Sequence, residues 1–219
     1  MATAEHVLRV VNDLGYESSL VASSLRRQRT NVIGVLVADF EPYSTELLKG
    51  ISAATEGTGY ELLAYAGGNA SGDDPHIDWE RRSLSRLGGT LIDGAVVVAP
   101  TASMTSGTGI PVVAIDPHSG LESVPTVHGD DIGGARAATE MLLGLGHRRI
   151  AHLGGRVGLE SSRLRLLGYR EALRAAGREP DPTLERVGGY RPDLTDAPAH
   201  ELLTLPEDIR PTAVFAAND

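Results

Sequence analysis

The chain has 219 residues, 41% of them apolar, enough to bury a core in one large domain or two small ones. A formal net charge of -9 argues against a surface coated in nucleic acid, and the absence of cysteine excludes disulfides, zinc knuckles and thiol nucleophiles. The opening MATAEHVLRV lacks the basic start and apolar core of a secretion signal, and no apolar run is long enough to span a bilayer, so a cytoplasmic protein is expected.

The first expected element is a helix over Thr3–Leu14, capped by Thr3 and ended by Gly15. Its stripe of Val7, Val10, Val11 and Leu14 has nothing nearby to pack on, and so short a helix is marginal alone. SSLVASSLRRQRT follows, Ser18–Thr30, with Arg26, Arg27 and Arg29 close together and no acidic residue from Ser18 to Val37. Taken alone it reads as a flexible basic linker able to touch phosphate locally.

From Asn31 the pattern alternates. Strands are expected at Val32–Ala38, Glu61–Ala66, Gly94–Ala99, Pro111–Asp116, Arg149–Gly154, Glu185–Gly189 and Thr212–Ala217. Helices are expected at Tyr43–Glu56, His76–Leu87, Ile132–Leu145, Ser162–Ala176 and about Asp196–Leu205. Near-continuous Val, Ile, Leu and Ala runs suit strands covered on both faces, and repeated strand–helix–strand units imply parallel sheets. Asp116–Asp131 breaks the rhythm with Gly, Pro and Ser around a weak strand, PTVHG, so a domain crossover is expected there. The closing TAVFAAND is a core strand and its exit, and the expectation is a chain truncated at both ends.

In open α/β sheets ligands sit outside the carboxyl ends of the strands. Four strand exits carry polar groups: Asp39 to Ser44 with Tyr43 among them, Asp116, the loop leading to Ser161 and Arg165, and Asn218 with Asp219. Each alone has an ordinary explanation as a turn, cap or solvated residue. Their shared edge favours a binding cleft. Ser161 and Arg165, four apart, share one face at a helix start, where free N–H groups favour a polar ligand. Carboxylates, hydroxyls, an amide and a guanidinium suit a polyhydroxyl compound such as a sugar, and with two Phe and one Trp the chain is poor in walls for a purine.

Catalytic and metal readings fare worse. The seven histidines show neither HExxH nor paired metal spacing, so no metal or other cofactor is expected. GGRVG at Gly154–Gly158 lacks the GxGxxG spacing, and there is no GxxxxGK[ST] or GxSxG. The pairs Asp73–Asp74 and Asp130–Asp131 read as caps or solvated turns.

DLGYESSLVASSLRRQRTNVIGVLV, LIDGAVVVAP, IPVVAID, GARAATEMLLGLGHRRIAHLGG, SSRLRLLGYREAL and PTAVFAAND together resemble LacI-type (lactose/galactose/purine repressor) bacterial transcription regulators, in order and spacing over essentially the whole chain. The resemblance implies an α/β, two-lobed, type I periplasmic-binding-protein-like fold with parallel sheets, preceded by the remnant helix and hinge helix of a helix-turn-helix headpiece. It divides the chain into residues 1–30 (headpiece remnant and hinge), 31–128 (N-terminal lobe) and 129–219 (an incomplete C-terminal lobe).

It further implies effector contacts from Tyr43, Ser44, Asp116, Ser161, Arg165, Asn218 and Asp219, and hinge contacts to DNA from Ser19, Ala22, Leu25, Arg26 and Arg29. Leu25 would be a minor-groove wedge on a helix that orders on DNA. The family usually has Asn-Pro-aromatic where this chain has Glu41-Pro42-Tyr43, so Glu41 is a departure. The implied protein is a regulator, with repression the expected sense, that takes a sugar-like effector, binds operator DNA when full-length and forms a homodimer. A transporter's solute-binding protein and an α/β sugar-processing enzyme are the competing readings. The first wants a secretion signal and no basic hinge. The second wants an acid/base pair, for which Asp116 and Asp219 are the candidates.

Overall fold

The computed structural model describes His6, Val10 and residues 29–67, 79–102, 108–118 and 124–218. The rest of the expected helix over Thr3–Leu14 lies outside the described residues, as do Ser19, Ala22, Leu25, Arg26 and Asp219.

Strand and helix alternate as the apolar patterning requires. In order they are β1 (Val32–Val37), α1 (Pro42–Thr55), β2 (Glu61–Ala66), α2 (Trp79–Leu87), β3 (Gly94–Val98), β4 (Val112–Ile115) and β5 (Thr126–Val127). Then come α3 (Asp131–Gly144), β6 (Ile150–Gly154), α4 (Glu160–Ala175), a 3-10 turn (Pro182–Leu184), β7 (Glu185–Val187), α5 (Pro192–Leu203) and β8 (Ala213–Ala216). One sheet runs β2-β1-β3-β4-β5, the other β7-β6-β8. The chain forms two compact units, the first of Met1–Ile115 and Leu121–Pro125, the second of Asp116–Gly120 and Thr126–Asp219.

In the first unit β1 runs parallel to β2, with Val32 opposite Glu61, and to β3, with Ile33 opposite Gly94. Period-two alternation sends Val32 and Leu36 to a core with Trp79, Leu84, Leu87 and Ile92. Val35 and Val37 point the other way, against Leu47, Leu48 and Ile51 of α1. Helices on both faces therefore explain why VIGVLV reads as one unbroken apolar run. Buried Glu80 pins the loop after β3 to α2, accepting from Thr101 N at 2.7 Å and Thr101 Oγ1 at 3.2 Å. The entry to β1 is held by Asp93: its carboxylate accepts from Thr30 N (2.8 Å), Thr30 Oγ1 (2.9 Å) and Asn31 N (2.8 Å).

In the second unit β6 is central, parallel to β7 and β8, with His152 opposite Glu185 and Phe215. Ile150 packs with Tyr169 and Leu173 of α4 on one face, and Ala151 with Leu184 and Leu202 on the other. The buried Tyr169 hydroxyl donates to Ile150 O at 2.7 Å, so its polar tip is satisfied inside the core. Two features depart most from the sequence reading. α5 starts at Pro192 rather than near Asp196, because proline suits the first helical position, and Thr195 Oγ1 sits 2.8 Å from both Gly188 O and Arg191 O. The 3-10 turn forms because Asp181 accepts from Thr183 N at 2.8 Å.

Candidate ligand-binding site

The polar groups of the second unit converge on Arg165. Its Nε donates to Asp131 Oδ1 at 2.7 Å, and its Nη1 donates to Ala217 O, the backbone step before Asn218. The guanidinium also lies over the Tyr190 ring, 5.8 Å from its centre, a cation–π distance. One turn earlier on α4, the Ser161 hydroxyl is 3.3 Å from the Tyr190 hydroxyl. Among the described residues no side chain caps the start of α4. Burial works against the Arg165 charge. The hydrogen bond it donates to Asp131 and the fields of Tyr190, Asp131 and Asp116 outweigh it and hold its pKa above the ordinary value.

Asp116 stands at the end of β4 with a left-handed backbone, φ 45°, and its Oδ1 accepts from Gly129 N at 2.9 Å. His118, two residues on, is partly buried with an Nδ1 that has no hydrogen-bond partner among the described residues. Burial lowers its pKa, as does Arg156; Asp116 and Asp131 oppose the shift. Tyr190 is also left-handed, φ 65°, with its ring laid against the backbone of Gly155, where a Cβ would come within 2.0 Å of the ring carbon Cζ. Glycine at 155 is what lets that ring lie flat there.

The structure thus gathers Asp116, Ser161, Arg165 and the strand exit bearing Asn218 in one unit. Tyr43 and Ser44 belong to the first unit, at the start of α1. Tyr43 is exposed, whereas Ser44 is buried, donating to Asp39 O at 2.8 Å and accepting from Glu41 N at 3.3 Å. That hydroxyl closes the helix start, and Glu41 takes part in the turn it closes.

Sequence reasoning missed three residues here. Asp130 is a cap as expected, accepting from Gly133 N at 2.8 Å, but its neighbour Asp131 is the partner of Arg165 rather than a cap or solvated turn. Tyr190 stands just past β7, and the strand-exit rule applied to that strand would have found it. His118 had no sequence signal beyond its place beside Asp116.

Residues 30–219 match the family of periplasmic binding proteins and the sugar-binding domain of the LacI family. The chain belongs to this family. It is 34% identical over 231 residues to the HTH-type transcriptional regulator CelR of Thermobifida fusca, covering 100% of this chain and 65% of the relative. The ribose operon repressor of Escherichia coli K12 is 29% identical over 227 residues, again across 100% of this chain and 66% of the relative. Among solved structures, a CelR–cellobiose complex superposes with a TM-score of 0.72 at 31% identity, covering 98% of this chain and 64% of that one. The chain therefore spans about two thirds of the length of these relatives. The parallel-sheet α/β architecture expected from sequence agrees with the type I fold of the family.

Proposed function

We propose that this LacI-family chain is the effector-binding core of a transcriptional regulator, with repression the expected sense and a sugar the effector. Support comes from relatives named as a transcriptional regulator and a ribose operon repressor, and from a neighbour bound to cellobiose. The observation that carries the reading is the Arg165 cluster: a guanidinium held by Asp131 and Ala217 O above an aromatic face, beside a serine hydroxyl. A planar fork of donors and a flat ring suit the hydroxyls and C–H face of a sugar.

In this proposal Asp116, Ser161, Arg165, Asn218 and Asp219 contact the effector from the second unit. Tyr43 and Ser44 do so from the first. Tyr190 joins them as a stacking surface. Residues 1–30 are the last headpiece helix and the hinge, with Ser19, Ala22, Leu25, Arg26 and Arg29 meeting operator DNA. Residues 31–128 and 129–219 are the two lobes of a cytoplasmic homodimer that binds without chemical turnover. Among the described residues no helix is long and apolar enough to cross a membrane.

Calorimetric titration with cellobiose, ribose and adenosine tests the ligand class. A sugar should bind saturably, and Arg165→Ala should weaken it by about 2–3 kcal/mol, roughly 30- to 150-fold. Binding of adenosine alone, or a sugar affinity untouched by Arg165→Ala, would overturn the reading.

A further inference from the structure

A histidine drawn into the protein normally finds a partner for at least one ring nitrogen. His147 Nδ1 is 3.1 Å from Thr212 Oγ1, and His152 Nδ1 is 3.3 Å from Phe215 O. His118 is half-buried, and neither of its nitrogens has a hydrogen-bond partner among the described residues. The two nitrogens differ. Nδ1 is buried, whereas Nε2 keeps access to solvent. One edge of the ring is sealed in protein, and the other is open to a ligand.

The chain puts that open edge among the elements that carry the Arg165 cluster. Asp116 ends β4 in its left-handed turn, its N–H donating to Val127 O at 2.9 Å and its carboxylate accepting from Gly129 N at 2.9 Å. His118 follows two positions on, in the same compact unit as Ser161, Arg165 and Tyr190. Four charges act on the ring: Arg156 of the loop after β6, Asp116 of its own strand exit, Asp131 of α3 and Arg165 of α4. Glu160, at the start of α4, in turn feels His118.

These surroundings keep the ring uncharged. Burial is the largest influence and opposes protonation; Arg156 and Arg165 add to it, and Asp116 and Asp131 do not overcome it. Two of the nearby carboxylates are engaged elsewhere, Asp131 with Arg165 and Glu160 with Arg163. An imidazolium would also carry a proton on the buried Nδ1, where no acceptor stands among the described residues. In either tautomer of the neutral ring, Nε2 can bond a hydroxyl, which both donates and accepts.

We propose that His118 is a further effector contact, bonding a hydroxyl of an uncharged sugar through Nε2 and doing so as the neutral ring. The inference rests on the sugar reading above and adds a residue which that reading does not use. A neutral sugar seated on Nε2 removes the water that an imidazolium needs and brings no charge to replace it. Binding therefore favours the uncharged ring. Affinity is full above about pH 6.5 and falls as pH drops through the lower value His118 has in the unliganded chain.

The test is calorimetric titration of the full chain with cellobiose and with ribose, at about pH 7.5 and at about pH 5. The sugar that binds should do so about fivefold more weakly at the lower pH, with protons released on binding, read from two buffers of different ionisation heat. His118→Gln keeps a hydrogen-bonding side chain that does not titrate. It should bind nearly as the parent does at the higher pH and lose the pH dependence. His118→Ala should weaken binding about fivefold at the higher pH. Equal affinity at both pH values overturns the proposal, as does a pH dependence that survives His118→Gln or full affinity in His118→Ala. A sugar that binds, is weakened by Arg165→Ala and shows a flat pH profile removes His118 alone. Binding of neither sugar at either pH removes the sugar reading and this inference with it.

Discussion

His118 and His152 share a physical situation although they sit in different places. Burial is the largest cause acting on each, and it lowers both pKa values below the ordinary histidine value. The folded chain therefore resists protonation that the unfolded chain accepts. Between the unfolded value, about 6.5, and the lower folded values, the unfolded state binds more protons, so stability falls as pH drops through that window. Urea melts at stepwise lower pH should show the midpoint declining below about pH 6.5, before the carboxylates titrate. A flat midpoint down to about pH 5 would contradict it. At this scale the sequence was partly legible. Asp116, Ser161, Arg165 and Asn218 were visible because each stands at a strand exit or one helical turn from it. Asp131 was not, because an aspartate beside a capping aspartate looks like a second cap, and nothing local says that Arg165, 34 positions on, reaches it. Tyr190 directly follows the expected strand Glu185–Gly189, but Gly188 and Gly189 before it make the exit look like a plain turn.

Among the elements, the pairing of α3 with α4 depends on one position. Gly168 lies where α4 crosses α3, and a Cβ there would fall 2.3 Å from Ile132 O and 3.0 Å from the Ala135 side chain. No side-chain rotation relieves a clash with backbone. Gly168→Ala should therefore lower stability by about 1–3 kcal/mol, seen as a reduced urea midpoint at unchanged slope. An unaffected midpoint would mean the helices slide apart freely. The elements themselves were the most legible part of the chain. Apolar strands covered on both faces and helices between them leave strong periodic signals, and boundaries moved by a few residues at most. The exception, α5, carries Pro198 in its interior. That proline lay inside the expected helix as well; what the structure adds is the turn before Asp196, opened by Pro192.

For the molecule as a whole, the decisive junction is where the segment preceding β1 meets the first unit. Three donors from Thr30 and Asn31 close on Asp93. Desolvation opposes the Asp93 charge, but those hydrogen bonds outweigh it and leave its pKa below the ordinary carboxylate value. The stability it contributes is thus present above the unfolded value, about 3.9, and is lost as pH falls through the folded one. Asp93→Ala should speed amide exchange at Thr30 and Asn31 by roughly tenfold or more and lower stability by about 2 kcal/mol. Unchanged exchange at both amides would show that the junction is held by something else. Family membership at this scale was readable from motif order, since it rests on many short stretches at fixed separations. A different kind of constraint is written in the torsions of Asp116 and Tyr190, both left-handed without being glycine. Such conformations cost about 1 kcal/mol or more each, and glycine would adopt them freely. Selection for heat resistance alone would let those sites drift to glycine, giving a sturdier molecule that has lost the Asp116 carboxylate and the Tyr190 ring beside Arg165.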